Sequence, residues 1–115
     1  MTLNIIQRAD VIETLEAFLY KRRPPEEMRE ELDLAYKIEG QSVFIYELRP
    51  HWNNKSEIIE SPVAKTTWVK THKHWKVFWM RADLRWHEYK PKPSVKTIAE
   101  FVKVVDTDKY GCFWG

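Results

Sequence analysis

Long apolar runs, paired cysteines and glycine are what this sequence has least of. Its uninterrupted apolar stretches are only a few residues long, far short of the ~20 needed to cross a bilayer. The N-terminus lacks the basic, apolar and small-residue order of a secretory signal, so a cytoplasmic protein with no membrane contact is expected. A single cysteine, Cys112, cannot close an internal disulfide and leaves no thiol cluster for structural zinc or an iron–sulfur centre. With only 3 glycines there is no glycine-rich phosphate loop, and neither a nucleophile elbow nor a kinase or hydrolase motif is present. No cofactor is expected, and nothing singles out an enzyme.

What is present suffices for a single domain over residues 1–115. The chain has 43% hydrophobic and 31% charged residues, with 19 Lys and Arg against 17 Asp and Glu, a mixture that can bury a core and does not read as disordered. The net charge of +2 conceals a division: residues 1–60 carry 8 basic and 12 acidic side chains, residues 61–92 carry 8 and 2, and residues 93–115 carry 3 and 3. The basic middle also holds Trp68, Trp75, Trp79 and Trp86 with His72, His74 and His87. A binding surface is therefore to be sought there.

Ile5, Ala9, Ile12, Leu15 and Leu19 recur at three- and four-residue spacing, with Val11 and Phe18 widening the stripe, and predict an amphipathic helix over the first 23 residues. Thr2 or Asn4 can cap it, and Pro24 and Pro25 stop it by removing amide donors. Pro25, Glu26 and Glu27 suit the first turn of a short second helix. From Leu32 the period becomes two: Leu32, Leu34, Tyr36 and Ile38, then a turn at Glu39–Gln41, then Val43–Leu48. This is a hairpin whose core face carries Leu34, Tyr36, Ile38, Val43 and Ile45, with Glu47 and Arg49 at the far end of that face.

Residues 50–61 read as a loop containing a short edge segment at Glu57–Ile59, closed off by Pro62. Strands are expected at Ala64–Thr71, Trp75–Ala82 and Trp86–Tyr89. With Asp83 and Leu84 as the loop of the last hairpin, Arg81 falls opposite Trp86, Met80 opposite His87 and Trp79 opposite Glu88. Trp75–Ala82 is apolar on both faces, which places it centrally in the sheet. An extended linker over residues 90–93 leads to a helix capped by Ser94, with Ile98, Phe101, Val102 and Val105 inward, and the aromatic tail at Phe113 and Trp114 is expected to dock. The fold class is α+β: an antiparallel sheet of about five strands in two hairpins, with an N-terminal and a C-terminal helix packed mainly on one face.

Several of these pieces also stand in a familiar order: Arg23-Pro24-Pro25, Tyr36-Lys37-Ile38-Glu39-Gly40, Glu47 with Arg49, Pro50 and Trp52, Val63-Ala64, Trp75 to Trp79, Trp86-His87 with Tyr89, and Phe113-Trp114-Gly115. From about Arg23 to the end, the chain resembles a family of small bacterial proteins described as a domain of unknown function (DUF3024-like). The resemblance implies no reaction, cofactor or partner.

The candidate ligand-binding residues are Glu47, Arg49, Trp52, Trp79, Arg81 and Trp86, gathered on an aromatic and basic sheet face of a non-enzymatic interaction module. Paired charges at the core-facing end of a strand must reach each other, water or a ligand, so Glu47 and Arg49 are either a structural ion pair or part of a cleft. Arg81 can stack on Trp86 or frame an anion site with Arg49 and Lys65. Each tryptophan can equally be core, since an aromatic side chain buries ~150–250 Å². The alternative function is binding of single-stranded nucleic acid through Lys65, Lys70, Lys73, Lys76 and Arg85 beside stacking aromatics. A third is an enzyme with Glu47 or His51 as base. His72 and His74 fit a solvated hairpin tip better than a metal site, and no metal ligands are assigned. Cys112 fits a packed thiol. The partner is otherwise open: another protein, or a second copy meeting through exposed aromatics.

Overall fold

The computed structural model describes residues 2–114; Gly115, the last residue of the quoted tail motif, lies outside the described residues. Helix α1 spans Ile5–Arg22, and a single 3-10 turn, Glu26–Met28, follows Pro24 and Pro25. The strands are β1 (Asp33–Glu39), β2 (Ser42–Pro50), β3 (Ile58–Val69), β4 (His74–Met80), β5 (Trp86–Glu88) and β6 (Ser94–Val95), and helix α2 spans Ile98–Thr107. The sheet order is β1-β2-β3-β4-β5, all antiparallel, with β6 on the same edge of β4 as β5. The architecture is the expected α+β, and β4 is central.

Asn4 starts α1 with a capping box: its side chain accepts the Gln7 amide at 2.8 Å, and Gln7 Oε1 accepts the Asn4 amide at 3.2 Å. Such a box satisfies two donors that the first turn cannot. At the other end the Arg23 guanidinium grips Asp33 through two bonds of 2.8 and 2.6 Å, tying the helix exit to the start of β1. The buried stripe of α1 is Val11, Leu15, Phe18 and Leu19. Ile5 is 85% exposed and Ile12 also faces out, which corrects the expected phase. The spacing fits either side of the helix; burial follows the wider seam through Val11, Leu15 and Phe18, which meets the sheet.

The core lies between the helices and one sheet face. Register sets Tyr36 beside Ile45 and Ile38 beside Val43, then Val43 beside Thr66 and Thr66 beside Val77. Val43, Ile45 and Val77 from the strands meet Leu15, Ile98, Phe101 and Val105 from the helices, all essentially without exposure. Each fully buried aliphatic or Phe side chain contributes about 1.5–3 kcal/mol. Thr66, the one buried polar side chain among the described residues, donates its hydroxyl to the Lys76 carbonyl at 2.6 Å.

Four expectations are corrected. First, β3 runs straight through Pro62, because Ile58–Pro62 pair with β2 only and lie beyond the last β4 partner, Ala64. A proline is tolerated where one flank of a strand is open, and a register shift beside it absorbs one extra residue. The end of β2 and the start of β3 therefore form a ribbon that overhangs the sheet. Second, the last hairpin is slipped by one residue: Met80 lies opposite Trp86, Trp79 opposite His87 and Phe78 opposite Glu88. The Arg81 amide bonds to the Arg85 carbonyl and encloses an odd-length loop, with Leu84 in the left-handed region at φ 62°. Third, residues 90–93 form a turn closed by Lys92 N–H to Tyr89 O at 3.1 Å, and Ser94 enters β6. Fourth, Thr97 instead caps α2, accepting the Glu100 amide at 3.1 Å.

The tail docks as expected. Asp108 ends α2 at φ 42°, and its carboxylate accepts the amides of Phe113 and Trp114 at 3.1 and 2.9 Å. Phe113 is buried against Tyr89, with ring centroids 4.8 Å apart. Among the described residues, no helix is long and apolar enough to cross a membrane.

Candidate functional site

The helices leave the second sheet face open, and strand alternation decides what stands on it. One cross-strand row reads Lys37, Phe44, Lys65, Phe78 and Glu88, from β1 to β5. The Lys65 ammonium lies 5.6 Å from the Phe44 ring and 5.2 Å from the Phe78 ring. Lys37 lies 5.8 Å from Phe44 and 5.5 Å from Tyr46, and reaches Glu39 at 3.5 Å. Lysine stems thus shield the rings while their ammonium groups remain at the surface.

Trp86 completes this surface. It stands on β5, three strands from Phe44, a separation of about 14 Å on a flat sheet. Their ring centroids are nevertheless only 6.0 Å apart, so the side chains lean together across a curled face. The two rings line a cleft of about 180 Å³ that Tyr46, Pro62 and Glu60 border as well.

Towards the β3–β4 turn the same face becomes basic. Lys76 lies opposite Ser94, and Lys96 follows two residues later on the same side. His72 and His74 stack at 5.3 Å and 16°. The His74 Nε2 is shut off from solvent without a hydrogen-bond partner. Its pKa is held below the usual histidine value by burial first, and then by His72, Lys96 and Lys76, all of one sign.

The six sequence-derived candidates divide between places. Glu47 and Arg49 pair at 3.5 Å on the helix-facing side of the overhanging ribbon. Trp52 stands 85% exposed in the loop at its tip, stacked on His51 at 5.6 Å. Trp79 lies on the helix-facing side beneath Arg81, whose guanidinium is 5.5 Å from its ring. Trp86 alone occupies the open face, so the expected Arg81–Trp86 pair does not form: a one-residue slip reverses every side chain of the strand. Of the alternative set, Lys65 and Lys76 share the open face. Lys70 and Lys73 line a cleft of about 340 Å³ with Trp68 at the β3–β4 turn, and Arg85 sits in the β4–β5 loop.

His51, one of the two residues considered as a base, and two further titratable groups have other engagements. His51 Nδ1 accepts the amides of Asn53 and Asn54 at 3.1 and 3.2 Å, which assigns its proton to Nε2. His87 bonds Asp83 at 2.8 Å, and that bond holds the Asp83 carboxyl below its usual range. Burial, then Asp108, pushes the Cys112 thiol up, the direction of an inert cysteine.

Phe44, Tyr46, Phe78, Lys37 and Lys96 are the members of the open face that sequence reasoning passed over. Period-two alternation already puts Lys37 and Phe44 outward together. Lys96 carries no signal in the sequence, because Ser94 and Val95 read as the capped start of the last helix and not as a strand.

The model of the family described as "Domain of unknown function (DUF3024)" matches residues 3–115, so the chain belongs to that family. The match takes in α1 as well as the part from Arg23 onward. No curated protein and no solved structure matches this chain.

Proposed function

We propose that this member of the DUF3024 family is a non-catalytic binding module whose open sheet face takes single-stranded nucleic acid. The observation that carries the reading is the continuity of the row Lys37–Phe44–Lys65–Phe78 and Trp86 with the cations gathered around His74. Rings on which bases stack, beside a cationic track for the backbone, are the parts a sequence-tolerant strand binder needs, each stacked base contributing roughly 1–3 kcal/mol. Lys76 and Lys96, whose charges bear on His74, supply the cations such a track needs.

The test is titration of tryptophan emission with a short thymidine oligomer. Phosphate contacts by Lys65, Lys76 and Lys96 predict roughly 20-fold weaker binding between about 50 and 200 mM salt. Lys76→Glu with Lys96→Glu should flatten that dependence, and Trp86→Ala should weaken binding at every salt concentration. No quenching at low salt, or quenching indifferent to these substitutions, removes the reading.

One observation favours a second reading, association with another protein. Trp52 in the tip loop and Ile58 and Ile59 at the start of β3 are each exposed near one end of the overhanging ribbon, and exposed apolar side chains mark interaction sites where they gather. Sedimentation of the protein and of a Trp52→Ser variant tests whether copies meet there. A monomer at high concentration in both removes self-association.

A further inference from the structure

A cleft of about 430 Å³ lies away from the open sheet face, between the β5–β6 turn, the flank of α2 and the turn that follows α2. Its walls include Tyr89, Pro91, Lys92, Lys103, Lys109 and Tyr110. The size falls within the roughly 300–1,000 Å³ of small-molecule sites and well above what a lone anion fills. Three ammonium groups face one carboxylate, Glu100. Among the described residues none of these four takes part in an ion pair within 4.0 Å. The cleft therefore carries an excess of positive charge, with no ammonium group held in a close ion pair.

Two of the walls are held in place before any ligand arrives. The Lys92 amide closes its turn on the Tyr89 carbonyl at 3.1 Å, and the Gly111 amide closes the other on Asp108 at 3.0 Å. Tyr89 is fixed by burial against Phe113. Tyr110 is 60% exposed, with the Lys109 ammonium 5.5 Å from its ring. Ordered walls reduce the entropy lost when a ligand binds. Lysine serves as a point-charge partner for phosphate, and a tyrosine ring and a proline offer flat apolar surfaces to a planar ring.

We infer that this cleft is a site for a phosphate monoester beside a planar base, the chemistry of a nucleoside monophosphate. The phosphate meets Lys92, Lys103 and Lys109, and the base lies on Tyr110 and Pro91. The same chemistry occurs in a free nucleotide and at the 5′-phosphorylated end of a strand, and the experiment separates them. The inference does not rest on the open-face reading, because α2 packs against the other side of the sheet.

The test is calorimetry of the full chain at low salt with AMP, adenosine, inorganic phosphate and a thymidine dinucleotide with and without a 5′-phosphate. AMP should bind at least about tenfold more tightly than adenosine or phosphate alone, a difference of ~1.4 kcal/mol. Lys103→Gln and Tyr110→Ala, both at exposed positions and checked for an intact fold by circular dichroism, should each weaken AMP about tenfold. Lys103→Arg should retain it, and Trp86→Ala on the open face should not change it. AMP binding assigns the free nucleotide, and binding of the phosphorylated dinucleotide alone assigns a strand end. AMP and that dinucleotide both binding no better than phosphate, or binding that ignores Lys103 and Tyr110, overturns the inference.

Discussion

Replacing Asp108 by alanine tests how the C-terminal tail is held. The carboxylate accepts two backbone amides, from Phe113 at 3.1 Å and Trp114 at 2.9 Å. Bonds to a charged acceptor contribute about 1.5–3 kcal/mol each, and the half-exposed position argues for the lower figure. Asp108 also sits at φ 42°, where alanine costs about 1 kcal/mol more than residues that tolerate the left-handed region. Together these give about 3–4 kcal/mol for Asp108→Ala, a large share of the ~5–15 kcal/mol that holds a domain folded. Asp108→Asn keeps the backbone preference and one acceptor oxygen, so about 1–2 kcal/mol is expected. Urea unfolding followed by circular dichroism measures both. The reasoning fails if the alanine variant lies within about 0.5 kcal/mol of wild type, or if asparagine proves as harmful as alanine.

Three further outcomes follow from burial and charge. Trp75→Ala, which empties a core site, should cost about 3–5 kcal/mol, whereas Trp52→Ala should change stability by less than about 0.5 kcal/mol; similar unfolding midpoints for the two would contradict the described core. The hydrogen bonds from Arg23 hold the Asp33 carboxyl below its usual range. The stabilisation from that pair is present above the ordinary carboxylate pKa and is lost as pH falls through the lowered folded value. Asp33→Asn should therefore flatten the acid limb of stability against pH, and an unchanged limb would count against the pair. His74 is likewise held below its usual value by burial and by neighbouring cations. The unfolded chain takes up that proton first, so stability declines as pH falls from about 6.5 through the lower folded value. Oligonucleotide binding should raise the His74 pKa seen by nuclear magnetic resonance, and a fixed value on saturation would argue against phosphate beside it.

Period and punctuation made most of the fold legible. Leu34, Tyr36, Ile38, Val43 and Ile45 share a face because two-residue alternation and the Gly40 turn leave no other arrangement. What escaped notice turned on single residues or on distant partners. The face of Trp86 depends on whether the loop after Met80 has an even or an odd count, which composition does not encode. The phase of α1 depends on which of two apolar seams the sheet accepts. Pro62 reads as a break until the neighbouring strand is seen to end before it. The open face is hard to read from the sequence for a related reason: its rings and lysines come from five strands, and the tryptophan-rich run points to Trp79, on the other side.

The overhanging ribbon has a consequence for the company this protein keeps with itself. Among the described residues, β3 from Ile58 to Pro62 has β2 along one side and no strand along the other, a free selvedge onto which a stray chain could be stitched. Pro62 lacks one of the donors such stitching needs, and the bulge beside it spoils the straightness that a growing fibril requires. The ribbon can hold Trp52 far out into water without seeding a chain reaction of strand upon strand.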